Sequence, residues 1–347
     1  MSISTSPHEF ARLPAAEQEA RLARMAQAAV ALWPIECMHI EAIKVRENAV
    51  YAVHTAGGGR VALRIHRQGY HGDAALRSEF AWMQALQASG IEVPRPVLSR
   101  AEREFELVDH EGVNGPRQAD VFEWVEGRQL GSVGDVASDD GAWIARTYAV
   151  VGEVAARMHN QSSSWQPPAG FRRHRWDAEG LVGETPLWGR FWELQALTRD
   201  ERALLAELRD CLRQDLSAFD TSAQQHGLIH ADLVPENVLV EGESLRVIDF
   251  DDAGFGWHLF DVATSLYFIR RKDFFPVAHG AFIAGYRRHR PLTDEQLRHL
   301  PMFLAARGTT YLGWVHTRKG EATAQELTPH LVELAVAAAR DYLKTRA

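Results

Sequence analysis

The stretch LIHADLVPENVLV, residues 228–240, places a carboxylate and a carboxamide just before a run of valine and leucine. Asp232 and Asn237 are five residues apart, and the apolar run after them is typical of a buried strand. A polar turn would account for both residues, since aspartate and asparagine are common turn formers. A site that holds a metal ion and a hydroxyl group is the other interpretation, and the next segment distinguishes the two.

That segment, VLVEGESLRVIDF at 238–250, has two apolar runs on either side of EGES and is predicted to form a β-hairpin. Antiparallel strands joined by a short turn bring their outer ends together. The hairpin would therefore gather Asp232, Asn237, Asp249 and Asp251 at one edge. Their oxygen atoms are the ligands that Mg²⁺ takes, together with substrate phosphates. The pattern predicts a phosphoryl-transfer site.

The composition argues against several other classes of protein. The chain has 347 residues and a net charge of −8, so no basic domain is available to contact nucleic acid. No apolar stretch is long enough to span a membrane, and the charged N-terminus does not resemble a signal peptide. The two cysteines, Cys37 and Cys211, have no metal-binding or disulfide-framework spacing. We expect a globular cytoplasmic protein; the sequence predicts no oligomeric state.

The first 125 residues are predicted to form a mostly antiparallel sheet with one inserted helix. An amphipathic helix at 18–33 precedes short β-type runs at 38–66. Leu76, Phe80 and Met83 then recur at helical spacing, before further extended segments lead to VFEWVEG.

Helical patterns predominate after residue 127. They cover 142–160, 186–197, 200–219, 257–270, 277–290, 294–318 and 325–345. The sequence therefore predicts an α+β protein. We divide it into a β-rich N-terminal lobe at 1–122, a hinge at 123–128 and a mainly helical C-terminal lobe at 129–347, which carries the hairpin.

Two motifs resemble those of a known family. HADLVPEN matches the kinase catalytic-loop pattern H-x-D-x-x-x-x-N, and IDFDDAG, with Asp249 twelve residues after Asn237, matches the metal-binding D-F-G position. With Asp251 in place of the glycine, the sequence resembles the aminoglycoside phosphotransferase and choline kinase family. The resemblance implies a bilobal protein-kinase-like fold, ATP and Mg²⁺ as cofactors, and a small-molecule hydroxyl group as acceptor. It also places Asp261 as a buried support of the catalytic loop.

Phosphoryl-transfer chemistry assigns a role to each residue of the hairpin site. We expect Asp232 to orient the acceptor hydroxyl, and Asn237 and Asp249 to bind Mg²⁺ that bridges the nucleotide phosphates. Asp251 is expected to bind a second metal ion or its water. His230 is expected to brace the loop rather than to transfer a proton.

The resemblance further implies a nucleotide site in the N-terminal lobe. The family's third-strand cation, which binds the α- and β-phosphates, falls on Arg64, and its helix glutamate falls on Glu79. Arginine binds phosphate oxygens through a planar fork, so it can serve there; Lys44 is the alternative. RENAV replaces the family's glycine-rich loop, so Glu47 and Asn48 would cover the phosphates through backbone N–H groups.

In the hinge, the backbone groups of Glu123 and Val125 are expected to face the adenine. The side chains of Phe122 and Trp124 would either line its pocket or belong to the core, since alternating aromatics in a strand serve both purposes.

Acceptor pockets in this family are built by the helices that correspond to 257–318. Aromatic rings and carboxylates together suit a cationic amine, whereas Arg307 could bind the carboxylate of an amino acid such as homoserine. The candidates in this segment are Trp257, His258, Tyr267, Arg270, Arg271, Arg307, Tyr311, Trp314 and His316.

Two alternatives come from other classes of function. A Ser/Thr protein kinase of the bacterial stress-response type shares the catalytic motif, but no activation segment with an A-P-E motif follows Asp249. A nucleotide-binding pseudokinase that acts as an interaction module is favoured only by the arginine at position 64, since Asp232 and Asp249 are both present. Phosphorylation of a small molecule is therefore the preferred prediction.

Overall fold

The computed structural model describes residues 10, 13–45, 48–132, 135–136, 140–242 and 244–346. The chain divides into two compact units, each made of more than one segment. The first consists of Met1–Gln84, Val93–Glu126 and Pro167–Arg172, and the second of Ala85–Glu92, Gly127–Gln166 and Arg173–Ala347.

The first unit is built on a five-stranded antiparallel sheet in the order β1-β2-β3-β5-β4. The strands are β1 Cys37–Val45, β2 Ala49–Thr55, β3 Arg60–Ile65, β4 Phe105–Val108 and β5 Arg117–Glu123. Helix α1, Ala15–Val30, buries Met25 and Ala29 in the core cluster of this sheet. Helix α2, Asp73–Ala88, lies between β3 and β4 in the chain. In the register of β3 and β5, Arg64 is directly opposite Asp120.

The second unit combines helices with short strands. Its helices are α3 Gly141–Ser164, α4 Ala178–Val182, α5 Arg199–Ala218, α6 His258–Tyr267, α7 Phe275–Arg287, α8 Asp294–Leu297, α9 Leu300–Thr317 and α10 Ala322–Lys344. Its strands are β6 Arg128–Gln129, β7 Gly131–Ser132, β8 Asp135–Val136, β9 Arg175–Trp176, β10 His226–Ile229, β11 Val238–Glu241, β12 Ser244–Val247 and β13 Gly254–Trp257.

The predicted hairpin is present, with β11 and β12 paired antiparallel from Val238 opposite Val247. Strand β6 extends this pair, and β10, β13 and β9 form a separate three-stranded sheet. Because β10 leads into the 228–240 stretch and β13 follows the segment after β12, both arms of the candidate site are anchored in strands.

Two glycines allow helices α3 and α7 to pack closely. A Cβ at Gly152 would lie 2.1 Å from the carbonyl oxygen of Phe282, and one at Gly285 would lie 1.9 Å from that of Ala149. Both distances are below any van der Waals contact, so a side chain at either position would force the helices apart. This crossing fixes α3, which carries His159.

The helix predicted at 186–197 is wrong. Within that range the structure has only a short 3₁₀ helix, Phe191–Glu193. Gly189 has a φ of +108°, which no regular helix contains, and its carbonyl packs against Gly313 of α9 so closely that a Cβ there would lie 2.5 Å away. Tertiary packing therefore overrides the helical pattern of this segment.

The single helical pattern predicted at 294–318 corresponds to two helices, α8 and α9, because Pro301, in the first turn of α9, cannot continue the preceding helix. The other predicted helices after residue 127 agree with the structure to within a few residues, and the α+β prediction is confirmed. In the described part of the chain, no helix combines the length and apolar character needed to cross a membrane.

Candidate active site

The loop after β10 is held by one buried carboxylate. Asp261, in the first turn of α6, accepts hydrogen bonds from the backbone N–H groups of His230 and Ala231 at 2.9 and 2.7 Å. The His159 Nε2 atom lies 3.1 Å from the same carboxylate. Ala231 has a φ of +63°, a conformation that non-glycine residues adopt only when their surroundings impose it. Asp261 provides part of that constraint.

Burial shifts the pKa of two groups in this support. It raises the pKa of Asp261, against the opposing effect of nearby His230 and the two backbone N–H groups. Burial also lowers the pKa of His159, well below its usual value, so this imidazole is neutral at pH 7. Its Nδ1 atom lies 2.8 Å from the Tyr286 hydroxyl group. The support is thus a hydrogen-bonded network fully removed from solvent.

The His230 side chain makes hydrogen bonds of the kind expected of a residue that braces the catalytic loop. Its Nε2 atom lies 3.1 Å from the carbonyl oxygen of Ile248, and its Nδ1 atom accepts from the backbone N–H of Asp232 at 3.3 Å. The side chain is buried, and both ring nitrogens contact backbone groups. This geometry fits the bracing role predicted for His230.

Asp232 is held at both carboxylate oxygens. Arg307 Nη2 donates to Oδ1 at 2.6 Å, and Asn237 Nδ2 donates to Oδ2 at 2.8 Å. The Asp232 side chain nevertheless stays 22% exposed, so a ligand has access to it. Since Asn237 points its nitrogen at Asp232, its Oδ1 is the atom of the carboxamide that could bind a cation.

The two arms of the site meet where the hairpin begins and ends. The N–H of Ile248 donates to the carbonyl oxygen of Asn237 at 3.0 Å, which sets Asp249 immediately beyond that contact. Asp249 has a φ of +65° and so shares with Ala231 a strained conformation in a candidate catalytic segment. The hairpin therefore joins Asn237 to the chain that carries Asp249, as the sequence predicts.

The segment at 250–253 is held by two side chains that precede β9 and one that belongs to it. Arg173 donates to the carbonyl oxygens of Phe250 at 3.1 Å and Ala253 at 2.5 Å, and also to that of Asp251. The carbonyl oxygen of Asp252 receives bonds from His174 Nε2 and Trp176 Nε1, at 3.0 and 2.9 Å. We call this group, Arg173, His174 and Trp176, the carbonyl clamp. No sequence pattern indicates this clamp, because its contacts are to backbone atoms distant along the chain.

Of the nine acceptor candidates, Arg307 and Tyr311 lie beside the catalytic loop. Arg307 contacts Asp232 and Tyr311, and it is completely buried. The proposal that it binds a substrate carboxylate is therefore not supported, because its hydrogen bonds go to the protein itself. Trp257, by contrast, is a core residue that donates to the carbonyl oxygen of Asp220.

Trp188 belongs to the site and was not predicted. Its Nε1 atom lies 3.3 Å from a carboxylate oxygen of Asp252, and the Arg307 guanidinium lies 4.8 Å from the centre of its ring. It comes from the loop that the sequence pattern assigns to a helix, so no local signal could have placed it next to α9.

The first unit contains a cluster of charged side chains that is buried within this unit. Arg64 donates from Nη2 to Glu79 at 2.9 Å, which is the ion pair that the resemblance implies. It also donates from Nε and Nη2 to the two oxygens of Asp120, at 2.9 and 2.7 Å. His66 Nε2 lies 2.7 Å from Asp120 Oδ2. All four side chains are buried.

Asp120 accounts for the arginine at position 64. A lysine offers one ammonium group, whereas the arginine fork binds one carboxylate at two atoms and still reaches a second. Burial alone would raise the pKa of Asp120, but Arg64 and His66 outweigh it and lower the pKa to about 2. Asp120 is thus ionised and paired. A carboxylate inside the apolar strand QADVFE was the signal in the sequence that could have identified it.

The other residues predicted to contact the nucleotide differ in burial and in their hydrogen bonds. Glu47 lies outside the described residues. Asn48 is buried and accepts from the backbone N–H of Arg67 at 3.2 Å. The N–H of Glu123 donates to the carbonyl oxygen of Arg95 at 2.8 Å, so this N–H is not available to a ligand. Val125 follows β5 and is partly exposed.

The two predicted hinge aromatics each stack with a cation. The Arg64 guanidinium lies 4.7 Å from the Phe122 ring centre, and that of Arg60 lies 4.4 Å from the Trp124 ring centre. Phe122 also stacks on Phe80 of α2 at 5.7 Å, which makes it part of the core of the first unit.

The chain is similar to known proteins over most of its length. A sequence model of the phosphotransferase enzyme family matches residues 39–298. A homoserine kinase of Beijerinckia indica is 32% identical over 250 residues, which cover 69% of each chain.

Two solved structures are similar over nearly the whole chain. The structure of a microcompartment-associated aminopropanol kinase has a TM-score of 0.82 and 31% identity, and covers 93% of this chain and 98% of its own. An amicoumacin kinase, solved with AMP-PNP and Ca²⁺, has a TM-score of 0.74 and 22% identity, with 93% and 96% covered.

These similarities confirm the predicted kinase-like fold and the prediction of an ATP-dependent phosphotransferase enzyme. The family match extends over most of the chain and includes the catalytic loop, the hairpin and the carbonyl clamp. The chain belongs to the phosphotransferase enzyme family.

Proposed function

We propose that this enzyme transfers the γ-phosphate of ATP to the hydroxyl group of a small amino alcohol. The observation that carries the proposal is the setting of Asp232, which is partly exposed and oriented at both oxygens by Arg307 and Asn237. A fixed, accessible carboxylate is what is needed to orient an attacking hydroxyl group, since positioning supplies much of the catalysis in phosphoryl transfer.

Within this proposal Asn237 and Asp249 bind Mg²⁺, and Asp251 contributes to a second metal ion or its water. Among the described residues, no three or more acidic, histidine or cysteine side chains are grouped to hold a metal ion by themselves. Mg²⁺ usually binds one or two protein carboxylates and takes its other ligands from phosphates and water, so a larger protein cluster is not required. When bound, Mg²⁺ neutralises charge on the phosphates. The residues of this chain orient the hydroxyl group and hold the loop.

An amino alcohol is favoured over an acceptor that carries a carboxylate. Arg307 donates its hydrogen bonds to the protein's own groups, the Ala231 carbonyl oxygen, Asp232 and the Tyr311 hydroxyl group. Asp252 lies beside Trp188, whose ring contacts the Arg307 guanidinium, and a carboxylate beside an aromatic ring suits an ammonium group. The similar aminopropanol kinase is named for such an acceptor, whereas the similar homoserine kinases are named for one with a carboxylate.

The carbonyl clamp argues against a protein kinase. Strand β13 begins directly after the segment at 249–253, and Arg173 bonds to three carbonyl groups of that segment. A regulated protein kinase uses a longer, movable activation segment at this position. The pseudokinase alternative is disfavoured because Asp232, Asn237 and Asp249 are all in place.

An acceptor panel tests the proposal. The purified protein is incubated with ATP and Mg²⁺ and with 1-amino-2-propanol, ethanolamine, homoserine, an aminoglycoside, a neutral sugar or casein, and ADP formation is measured. We expect turnover with the amino alcohols to exceed that with homoserine, and none with casein. Preferred turnover of casein would support the protein kinase, and binding of ATP without turnover of any acceptor would support the pseudokinase.

We further propose that Arg64 binds the nucleotide phosphates while Glu79 and Asp120 hold its guanidinium. Arg64→Lys is expected to weaken ATP binding about tenfold, because one ammonium group cannot replace the bonds to both carboxylates. Arg64→Ala should weaken binding more. Calorimetric titration with ATP and Mg²⁺ measures both effects.

The control for Arg64 is Arg60→Lys, an exposed arginine of the same strand that pairs with Glu126. It should bind ATP as the wild type does. Unchanged binding in Arg64→Ala would contradict the assignment and move the phosphate contact to Lys44.

A further inference from the structure

Arg307 is a charged side chain with no access to solvent. Its guanidinium lies 4.3 Å from the ring centre of Tyr311, 4.8 Å from that of Trp188 and 5.6 Å from that of Phe260. Removing a cation from water costs several kcal/mol unless ionic partners and hydrogen bonds compensate it. The three ring faces offset part of that cost. We call these three rings the aromatic cage.

The hydrogen bonds of Arg307 identify what it serves. Nη1 donates to the carbonyl oxygen of Ala231 at 3.0 Å, and Nη2 donates to Asp232 Oδ1 at 2.6 Å. A third bond, from Nη2, joins it to the Tyr311 hydroxyl group at 2.8 Å, while Nε is buried without a partner in this structure. Among the residues that the structure describes, Arg307 donates hydrogen bonds to the catalytic loop and to the tyrosine on its own helix.

We propose that Arg307 is the positioning residue of the catalytic loop: it fixes the Asp232 carboxylate toward the acceptor hydroxyl group from one side while Asn237 fixes it from the other. The inference rests on the proposed function, in which Asp232 orients that hydroxyl group. Each carboxylate oxygen accepts more than one hydrogen bond, so both oxygens stay competent to bind a ligand. The bond to Ala231 holds the strained backbone at the same time.

A purely structural brace would predict a different result. If Arg307 only stabilised the fold, its removal would lower the free energy of unfolding and leave turnover by the folded protein unchanged. A positioning residue, once removed, lowers kcat of a folded enzyme while ATP binding persists, because it acts on the reacting geometry and not on the nucleotide.

Arg307→Met separates these outcomes. Methionine packs well among aromatic rings, and Asp232 stays partly exposed, so the variant is expected to fold. We expect kcat with the best acceptor of the panel to fall about 100-fold, and KM for ATP to change less than about threefold. Arg307→Lys keeps the positive charge but not the planar guanidinium, so its kcat should lie between those of Arg307→Met and the wild type. If Arg307→Met does not fold, Arg307→Lys serves as the test.

Chemical rescue of turnover is a second test, because added guanidinium would not raise turnover if Arg307 only stabilised the fold. Added guanidinium at millimolar concentration should raise turnover by Arg307→Ala, since it can occupy the vacated aromatic cage beside Asp232. The matched control is Arg290→Ala, another buried arginine, which bonds to Asn160 and to the carbonyl oxygens of Ala223 and Gln224. Guanidinium should leave the turnover of that variant unchanged.

The outcomes separate the inference from the function on which it rests. Wild-type kcat in folded Arg307→Met, or equal effects of guanidinium on both alanine variants, would overturn the positioning role while the proposed function stands. Absence of turnover by the wild type with every acceptor of the panel would overturn the proposed function, and the inference with it.

Discussion

Asp232→Asn is expected to lower kcat about a thousandfold while ATP and Mg²⁺ still bind, because the neutral carboxamide no longer draws the acceptor hydroxyl group into line. The substitution also removes the carboxylate partner of a buried cation, Arg307. We therefore expect the free energy of unfolding to fall by about 2–3 kcal/mol. Turnover is measured by ADP formation, ATP binding by calorimetry and stability by urea denaturation.

The double variant Asp232→Asn with Arg307→Met distinguishes loss of chemistry from loss of fold. It leaves no unpaired charge in the aromatic cage, so it should be more stable than Asp232→Asn alone and still fail to turn over. Asp177→Asn, at the partly exposed N-cap residue of α4, is the matched control and should keep wild-type activity, since asparagine caps as well as aspartate. Substantial turnover by folded Asp232→Asn would exclude Asp232 as the orienting carboxylate.

The largest loss of stability is expected from Asp261→Ala. Its carboxylate receives the backbone N–H groups of His230 and Ala231 and contacts His159, all without solvent access. Removing it leaves two buried N–H groups without acceptors, which should cost about 3–5 kcal/mol in the free energy of unfolding. Urea denaturation followed by circular dichroism measures the change.

Asp261→Asn is the companion variant because it keeps the shape of the side chain. One of its two terminal atoms is an NH₂ donor, which would face a backbone N–H group of the loop, so its stability should fall between that of Asp261→Ala and the wild type. Wild-type stability in both variants would show that the loop does not depend on this carboxylate. Asp220→Ala, at an exposed turn, controls for the loss of an aspartate alone.

The parts of the site that the sequence predicts are local ones. Asp232 and Asn237 belong to one short loop, and Asp249 is brought to them by a hairpin whose strands are adjacent in the chain. Alternating apolar runs and a short turn determine that geometry without reference to the rest of the protein. The motif resemblance then supplied the enzyme class and the Arg64–Glu79 pair, which the structure contains.

The parts that sequence reasoning missed depend on tertiary contacts. Arg307 and Asp232 are 75 residues apart, and Arg64 and Asp120 are 56 apart. Trp188 reaches the site through a loop whose helical pattern is overridden by packing against α9. No local sequence pattern predicts which of the many arginines forms an ion pair with a given carboxylate. An acidic residue within an apolar strand, as at Asp120, signals only that a partner exists.

The bidentate pair between Arg64 and Asp120 has a consequence for how this site can change over generations. A mutation to lysine at position 64 would remove the two-atom contact with Asp120 and leave its Oδ2 with His66, and an apolar residue at position 120 would leave the guanidinium with Glu79 and with unmatched donors. Each single substitution thus passes through a less stable protein. Exchange between a lysine-type and an arginine-type phosphate contact is therefore expected to be favoured when the residues at both positions change together.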